Sequence, residues 1–413
     1  MSKKFIIILI SAVLGLLLLS LIGYYFIIQN GSNPNNGGVV SVFKNFFPFG
    51  GNDLPASDNS TTTPQTPENP QQPVGNSTAF TQKLRELSKE PVAGAGVLDV
   101  KAGTVVRYIE KATGHIYEVE LFSPRQERIS NTTIPLVADG IWGNGNNSLI
   151  TRYIGEDDVR IDTYSMTIKN ISTSTTASPL VGTQFPSGIS DVSAYGSNVF
   201  YLVQNDSFSQ GFVSAFDGSK KKLIWSSEIK ELTSQFVNDR TVALYTNPYP
   251  NIPGYLYLID TVTGSMRKVI GEVSGLTALV NSQVTSVLIL SQDSNARLFD
   301  YDIKSKKSVE LSPKTFPEKC VWSKKDAAVA YCAVPRLSLD GGTLTLWYQG
   351  RISFTDDIWK YNLKDNTSSI VGNLSGDSGM QIDVIKPQLS ASEQYLVFVN
   401  KIDNSLWSLD LTK

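Results

Sequence analysis

Roughly the last three hundred residues of the chain repeat a two-part pattern of apolar and polar positions. One part is a hairpin whose second strand carries an aromatic or large apolar residue: Tyr108, Tyr153, Tyr201, Tyr245, Leu290, Tyr331 and Phe398. These positions are 45, 48, 44, 45, 41 and 67 residues apart. The other part is a short alternating strand that ends in an acid or amide, as in LYLID (256–260) and LWSLD (406–410). A period in the low forties, with four short strands per unit, predicts a β-propeller.

Seven hairpins of this kind can be counted along the chain. They cover residues 96–108, 140–153, 191–202, 234–245, 278–290, 320–331 and 387–398. Their turns hold Gly, Asn, Asp, Ser and Lys between β-branched and aromatic residues, as hairpins require. The sequence therefore predicts an all-β fold, a seven-bladed β-propeller over residues 81–413.

The last repeat is incomplete, because the chain ends at Lys413, directly after the third strand of that unit. At the other end, QKLRELS (82–88) has the pattern of an outer strand but precedes the first inner strand. We expect this segment to complete the seventh blade, which would close the ring and remove the exposed sheet edges. A helix over FTQKLRELSK (80–89) is the alternative, because the segment contains good helix formers with apolar spacing.

The hairpin turns and the aromatic-x-apolar-Asp third strands resemble the TolB/WD40-like class of β-propellers. The whole layout, with a propeller opening on VVRYIEKATGHIYEVEL (105–121), resembles membrane-anchored propeller proteins of candidate-phylum bacteria. The resemblance implies the fold but little about function, since propellers serve as scaffolds, receptors, lyases and hydrolases. The chain lacks the regular Gly-His and Trp-Asp dipeptides of WD40 repeats and the Ser-x-Asp-x-Gly-x-Thr-Trp boxes of sialidases. A glycosidase function therefore gains no support from these motifs.

An apolar segment near the N-terminus predicts a membrane anchor. Phe5–Ile28 contains no charged side chain, and as a helix it would span roughly 36 Å, enough to cross a hydrocarbon core of about 30 Å. Lys3 and Lys4 precede it, so we expect the N-terminus in the cytoplasm and the rest outside. A cleaved secretory signal fits less well, because the apolar run is long and no small-x-small site follows it. Residues 1–28 are thus interpreted as a cytoplasmic stub and a single-pass anchor in the cell membrane.

Residues 29–80 predict a disordered linker between this anchor and the propeller. They are rich in Asn, Gly, Pro, Ser, Thr and Gln, and cannot bury enough apolar surface to offset the entropy of ordering. One stretch, VVSVFKNFFPFGG (39–51), is apolar instead. It is expected to lie on the membrane interface or on the propeller, or else to bind a partner.

The composition narrows the possible chemistry. The 413 residues include 38 acidic and 36 basic side chains, a balance that argues against a nucleic-acid partner. His115 is the only histidine, so Ser-His-Asp, Cys-His and multi-histidine metal chemistry are excluded. The loops between second and third strands are polar and could surround a cation, but no spaced calcium loop is present. We therefore expect no metal and no cofactor.

Two groups of adjacent acids are the candidates for a ligand-binding or catalytic carboxylate site: Glu156, Asp157 and Asp158, and Asp356 and Asp357. Paired carboxylates are typical of hydrolases and lyases. Adjacent acids on an exposed loop are more often a solvated turn. We assign them to a ligand-binding face and leave catalysis as the alternative.

Two cysteines lie on one predicted hairpin, CVWSKKDAAVAYC (320–332). The hairpin is symmetric about Asp326, which places Cys320 and Cys332 directly opposite each other, within disulfide range. Oxidation is permitted outside the cytoplasm. A disulfide is favoured over two small buried side chains that simply pack together.

The widest departure from the period is the blade-six insertion, residues 334–357. It carries Trp347, Tyr348, Arg351 and Phe354, and aromatics with arginine are typical of binding hot spots. The insertion is equally suited to capping the channel and burying its rings, so both alternatives stay open.

The sequence predicts a membrane-anchored extracytoplasmic propeller that recognises or scaffolds a protein, a peptide or an envelope glycan. A propeller hydrolase or lyase, or a purely structural envelope protein, is the alternative.

Overall fold

The fold was obtained as a computed structural model, which describes residues 82–155, 161–168, 180–292, 295–340 and 342–413. The expected anchor (5–28), the whole linker (29–80), and Glu156, Asp157 and Asp158 lie outside the described residues. Within the described residues, no helix is both long and apolar enough to span a membrane.

The described residues form seven four-stranded antiparallel sheets, each a blade of a propeller. Blade one contains β2 (Val92–Val100), β3 (Gly103–Glu110), β4 (Ile116–Glu120) and β5 (Gln126–Arg128). Blade two contains β6 (Val137–Gly143), β7 (Ser148–Ile154), β8 (Ile161–Ile168) and β9 (Leu180–Gln184). Blade three contains β10 (Ile189–Tyr195), β11 (Asn198–Gln204), β12 (Ser209–Ala215) and β13 (Lys222–Ser227). The expected seven-bladed all-β fold is thus confirmed.

The remaining blades repeat the same order. Blade four contains β14 (Leu232–Asn238), β15 (Thr241–Thr246), β16 (Pro253–Asp260) and β17 (Met266–Ser274). Blade five contains β18 (Thr277–Val280), β19 (Ser286–Gln292), β20 (Ala296–Asp302) and β21 (Lys307–Leu311). Blade six contains β22 (Cys320–Trp322), β23 (Val329–Pro335), β24 (Asp356–Asn362) and β25 (Thr367–Gly372). Blade seven contains β26 (Val384–Leu389), β27 (Tyr395–Asn400) and β28 (Leu406–Asp410), and its fourth strand is β1 (Leu84–Ser88).

Strand β1 closes the ring. It pairs antiparallel with β28, with Leu84 opposite Leu409 and Glu86 opposite Trp407. The N-terminal segment is therefore a strand and not the alternative helix, because it supplies the outer strand that the last repeat lacks. Strand β1 thereby covers the edge of β28 and becomes the outer strand of a complete four-stranded blade.

The core is divided between the blades. Seven apolar clusters of described residues each draw on two adjacent blades, so that each blade face packs against the next around the ring. The aromatic positions of the repeat lie on the second strands, and Tyr108, Tyr201 and Phe398 are almost completely buried there. The repeat in the sequence is therefore a repeat of inter-blade packing.

Few helical segments interrupt the strands. A 3-10 turn, Pro317–Lys319, leads into β22, and a short helix, Leu374–Ser378, follows β25. The insertion helix, Thr343–Tyr348, lies in the blade-six insertion. The first and third of these segments build the candidate site.

Removing the side chain that docks β1 should destabilise the ring. Leu84→Ala is expected to lower the free energy of unfolding by about 2–5 kcal/mol, because Leu84 is buried in the cluster between blades six and seven. Urea denaturation measures this, with exposed Lys89→Ala as the control from the same segment. A change for Leu84→Ala as small as the control's, within about 0.5 kcal/mol, would contradict the docking of this strand.

Candidate functional site

The candidate site lies on one face of the ring, here called the loop face. In an antiparallel four-stranded blade, the connection from second to third strand and the connection to the next blade emerge at the same end. The blade-six insertion belongs to the first kind, since it joins β23, which ends at Pro335, to β24, which begins at Asp356. It therefore projects from the loop face.

The insertion helix has defined ends. At its start, the Asp340 carboxylate accepts hydrogen bonds from the backbone N–H groups of Gly342 (3.1 Å) and Thr343 (3.0 Å). At its end, Gly350 adopts a left-handed φ of 69°, and the N–H of Arg351 bonds to the carbonyl of Leu346 (2.9 Å). Glycine suits that position because it has no Cβ to clash. These ends fix the direction in which Trp347 and Tyr348 leave the helix.

The insertion buries an aromatic cluster beneath itself. Trp347 and Phe354 are only 5% and 2% exposed and pack with Phe316, with ring centroids 5.4 and 5.7 Å from that of Phe316. Leu290 and Ala296 of blade five belong to the same cluster. The insertion therefore leans over blade five, and its apolar rings cap the interior.

A buried ion cluster lies directly under this cap. The Lys319 ammonium is 2.6 Å from Asp356 Oδ2 and also donates to Asp383 Oδ1 and to the carbonyl of Val384 (3.1 Å). The side chains of Lys319, Asp356 and Asp383 are all completely buried. Charges buried in this way are stable only when they are paired and hydrogen bonded.

The ion cluster holds the insertion from below. Asp383 Oδ2 accepts the indole N–H of Trp347 (2.9 Å) and the backbone N–H of Phe354 (3.0 Å). Lys319 Nζ lies 5.1 Å from the centroid of a Trp347 ring and 5.4 Å from that of Phe354, which adds cation–π attraction. Lys401 Nζ bonds to the carbonyl of Trp347 (2.6 Å). The insertion is thereby fixed to blades six and seven.

The ion cluster contains two acids and one base. Burial raises the pKa of Asp356 to about 6; the positive charge of Lys319 opposes this shift, and the negative charge of Asp383 adds to it. Asp356 Oδ1 is buried and has no hydrogen-bond partner among the described residues. A proton on Asp356 would leave the cluster electrically neutral.

A cavity opens beside the cap, between the insertion helix and the loop that follows β15. Its volume is about 450 Å³. Nine residues line it: Thr233, Tyr245, Asn247, Pro248, Tyr249, Glu318, Thr345, Tyr348 and Gln349. This cavity is here called the mouth pocket, and it joins blade four to the blade-six insertion.

Glu318 and Tyr348 form one wall of the mouth pocket. The Tyr348 hydroxyl donates to Glu318 Oε1, and the Thr277 side chain is a further hydrogen-bonding neighbour of this carboxyl group. Burial raises the pKa of Glu318 above its usual value, and the hydrogen bond from Tyr348 offsets part of that shift. Tyr348 itself is 46% exposed, so its ring faces both the pocket and the solvent.

Two more tyrosines complete the aromatic lining. Burial and the nearby charge of Glu318 raise the pKa of Tyr245 well above its usual value, so its hydroxyl stays protonated. Tyr249 is 50% exposed and donates to Glu231 Oε2 (2.8 Å). A second cavity, of about 360 Å³, lies on the other side of Tyr249 and shares Asn247 with the mouth pocket.

The structure separates the residues that the sequence grouped in the insertion. Tyr348 lines the mouth pocket, and Arg351 is exposed. Trp347 and Phe354 are buried and their rings pack together under the cap, which matches the capping alternative for these two residues and not the binding one. The Nε2 atom of His115, which lies outside the insertion, is 3.2 Å from the hydroxyl oxygen of Thr133.

The structure separates Asp356 and Asp357, the adjacent acids that the sequence analysis assigns to a ligand-binding face. Asp356 is completely buried beside Lys319, so it does not face a ligand. Asp357 forms a bidentate ion pair with Arg336, at 2.8 and 2.9 Å. Among the described residues, no group of three or more His, Cys, Asp or Glu side chains could hold a metal ion.

Cys320 and Cys332 lie opposite each other in β22 and β23, and their sulfurs are bonded. This pairing fixes the hairpin that carries Lys319 at its start.

Reasoning from the sequence missed Glu318, Lys319, Asp383 and Tyr245 as site residues. One signal was available: Glu318, Lys319 and Asp383 are charged residues at the entry of the inner strands β22 and β26, where the chain turns into the interior.

Comparison with known proteins identifies the fold and no more. No protein-family model matches the chain, and no curated protein matches it significantly. Among solved structures, an oligogalacturonate lyase in complex with manganese is similar over 80% of this chain and 100% of its own, with 11% identity and a TM-score of 0.50. At that identity, the likeness shows a shared fold alone.

Further matches have lower scores. TolB from Acinetobacter baumannii matches over 80% of this chain and 64% of its own, with 11% identity and a TM-score of 0.39. A puromycin hydrolase S511A mutant matches over 78% of this chain and 50% of its own, with 10% identity and a TM-score of 0.46. The β-propeller fold expected from the sequence is confirmed, and the functional residues must be argued from this chain.

The raised pKa of Asp356 makes stability depend on pH. The folded chain retains a proton on Asp356 that the unfolded chain releases, so raising the pH from about 4 to about 7 removes this advantage. The free energy of unfolding of the wild type should therefore fall relative to that of Asp356→Asn over this range. A pKa difference of about two units corresponds to about 3 kcal/mol.

Urea denaturation of both proteins at several pH values measures this difference. The pH-dependent difference in unfolding free energy between the wild type and Asp356→Asn should persist in high salt, because buried charges are poorly screened. Stability curves of the two proteins that run parallel across the range would contradict the assignment.

Proposed function

We propose that this chain is a recognition module that binds a segment of another extracytoplasmic protein in the mouth pocket. The observation that carries this proposal is the pocket itself. It has aromatic, amide and hydroxyl lining, lies on the loop face, and is walled by an insertion that exceeds the repeat. Apolar cavities with a few convergent polar groups are the usual form of ligand sites.

The rigidity of the insertion supports the proposal. A wall that is fixed before binding loses little conformational entropy when a ligand arrives, which favours affinity. The wall here is held by the Lys319 cluster, by Asp383 in particular, and by Lys401. Tyr348, the residue next to the anchored Trp347, is thereby presented to the pocket in one position.

The proposed location is outside the cytoplasm, with the propeller held at the membrane by the apolar segment Phe5–Ile28 and the linker 29–80. Tethering raises the effective concentration of a binding domain near a surface. The disulfide between Cys320 and Cys332 agrees with an oxidising environment.

An enzymatic function has less support. The mouth pocket is lined by a single carboxyl group, that of Glu318, so a mechanism with two carboxylates lacks its second group among the lining residues. Asp356 and Asp383 are buried with Lys319 beneath the cap. The likeness to a lyase concerns the fold, and one fold hosts many functions.

A photo-crosslinker tests the site directly. With p-benzoylphenylalanine at position 249 in the full chain, irradiation of intact cells should yield a discrete adduct, because Tyr249 lines the pocket and is half exposed. The matched control carries the crosslinker at position 262, since Val262 is 62% exposed in the turn between β16 and β17, on the opposite face. Gel shift and mass spectrometry detect the adduct.

The expected adduct forms from position 249, not from 262, and decreases several-fold when Tyr348→Ala removes one wall of the pocket. Tyr348→Phe keeps the ring and should retain most of the adduct. Equal labelling from both positions, or none from either, would contradict a binding site at the mouth pocket.

A further inference from the structure

The mouth pocket has an uneven distribution of charge. Its nine lining residues include one carboxyl group, that of Glu318, and no lysine, arginine or histidine. An anionic ligand would therefore meet only negative charge there. The neighbouring Lys319 directs its ammonium group away from the pocket lining, at Asp356 and Asp383.

Glu318 supplies the negative charge of the mouth pocket. Its Oε1 atom accepts a hydrogen bond from the Tyr348 hydroxyl, and the Thr277 side chain is a further hydrogen-bonding neighbour of the carboxyl group. Because the carboxyl group is buried, water screens its charge weakly, and the charge acts on a group bound beside it.

The aromatic lining complements this charge. Tyr245, Tyr249 and Tyr348 provide three rings, and the π face of a tyrosine attracts a cation. The pKa values of Tyr245 and Tyr348 are raised well above the usual value, by burial of their hydroxyl ends and then by the nearby charge of Glu318, so their hydroxyls stay protonated and their rings stay neutral. Rings around a carboxylate form an environment suited to a positively charged nitrogen.

We propose that the mouth pocket binds the ammonium or guanidinium group of a lysine or arginine side chain in an extended peptide, an inference that rests on the proposed recognition function. The cation lies among the three tyrosines, within the field of Glu318. The partner segment that the pocket selects therefore carries a lysine or an arginine.

The second cavity favours a peptide over an isolated amine. It shares Asn247 and Tyr249 with the mouth pocket, and Lys230, Glu231 and Thr246 line it beside a larger apolar and aromatic group: Ile229, Ile252, Pro253, Tyr255 and Tyr257. An apolar residue near the basic one fits there. The Asn247 Oδ1 atom accepts from Thr233 (2.8 Å), and the amide retains N–H donors that can meet a peptide carbonyl.

Short degenerate peptide pools that differ only in one fixed residue test the proposal. Fluorescently labelled pools with fixed Lys, Arg, Leu or Glu are titrated against the full chain in detergent, and binding is followed by fluorescence anisotropy. The Lys and Arg pools should bind at least about tenfold more tightly than the Leu and Glu pools. Binding should weaken as the pH falls and Glu318 gains a proton.

Two variants with the same change of charge provide the comparison. Glu318→Gln should remove the preference for the Lys and Arg pools, whereas Glu272→Gln, an exposed acid outside the pocket lining, should keep it. Thermal denaturation checks that each variant is folded. If Glu318→Gln does not fold, the proposal is tested by the wild type alone. It must bind the Lys and Arg pools more tightly than the Leu and Glu pools, and this preference must weaken as the pH falls.

The outcomes distinguish this inference from the proposed function. An adduct at position 249 together with equal binding of all pools would overturn the cationic chemistry and leave the recognition site standing. No adduct and no pool binding would overturn both. Tight binding of a glucosamine oligomer, with no preference among the pools, would overturn the peptide as the source of the cation.

Discussion

The candidate site depends on one buried ion cluster, in which Lys319 lies between Asp356 and Asp383 with all three side chains inaccessible to water. Ion pairs of this kind are a weak source of stability, because desolvation offsets most of the Coulomb attraction. Their geometry, however, is demanding, since the loss of one partner leaves an uncompensated charge in the interior. Asp383 accepts hydrogen bonds from both Trp347 and Phe354, so the same cluster fixes where the insertion lies.

From that constraint the arrangement of the loop face follows. With Trp347 anchored inward, the next residue, Tyr348, points to the mouth pocket and bonds to Glu318. Lys319 follows Glu318 in the chain, so the 3-10 turn places Glu318 in the pocket wall and Lys319 in the buried cluster. The ring of blades supplies a rigid base, and the insertion supplies the specific surface. This division is common in proteins whose binding loops sit on a fixed scaffold.

The fold could be predicted because its signal is repeated. Seven hairpins with an aromatic or large apolar residue on the second strand correspond to seven inter-blade clusters, and the missing strand of the last repeat is supplied by Leu84–Ser88. The site could be predicted only in part. A run of aromatics with an arginine is compatible with both capping and binding, and the insertion does both: Trp347 is buried, while Tyr348 faces outward. The contact between Lys319 and Asp383 joins residues 64 positions apart, so no local pattern reveals it.

The most direct test of the account is the hydrogen exchange of the Phe354 amide, which bonds to Asp383 Oδ2. In the wild type this amide should be protected like those of the strands beneath it. In Asp383→Asn, exchange across residues 343–354 should rise by at least about tenfold, or about 1.4 kcal/mol of local opening, while the Val106 amide in blade one keeps its protection. Equal exchange of the insertion in the two proteins would show that the buried cluster does not hold it, and the account of the mouth pocket would fail with it.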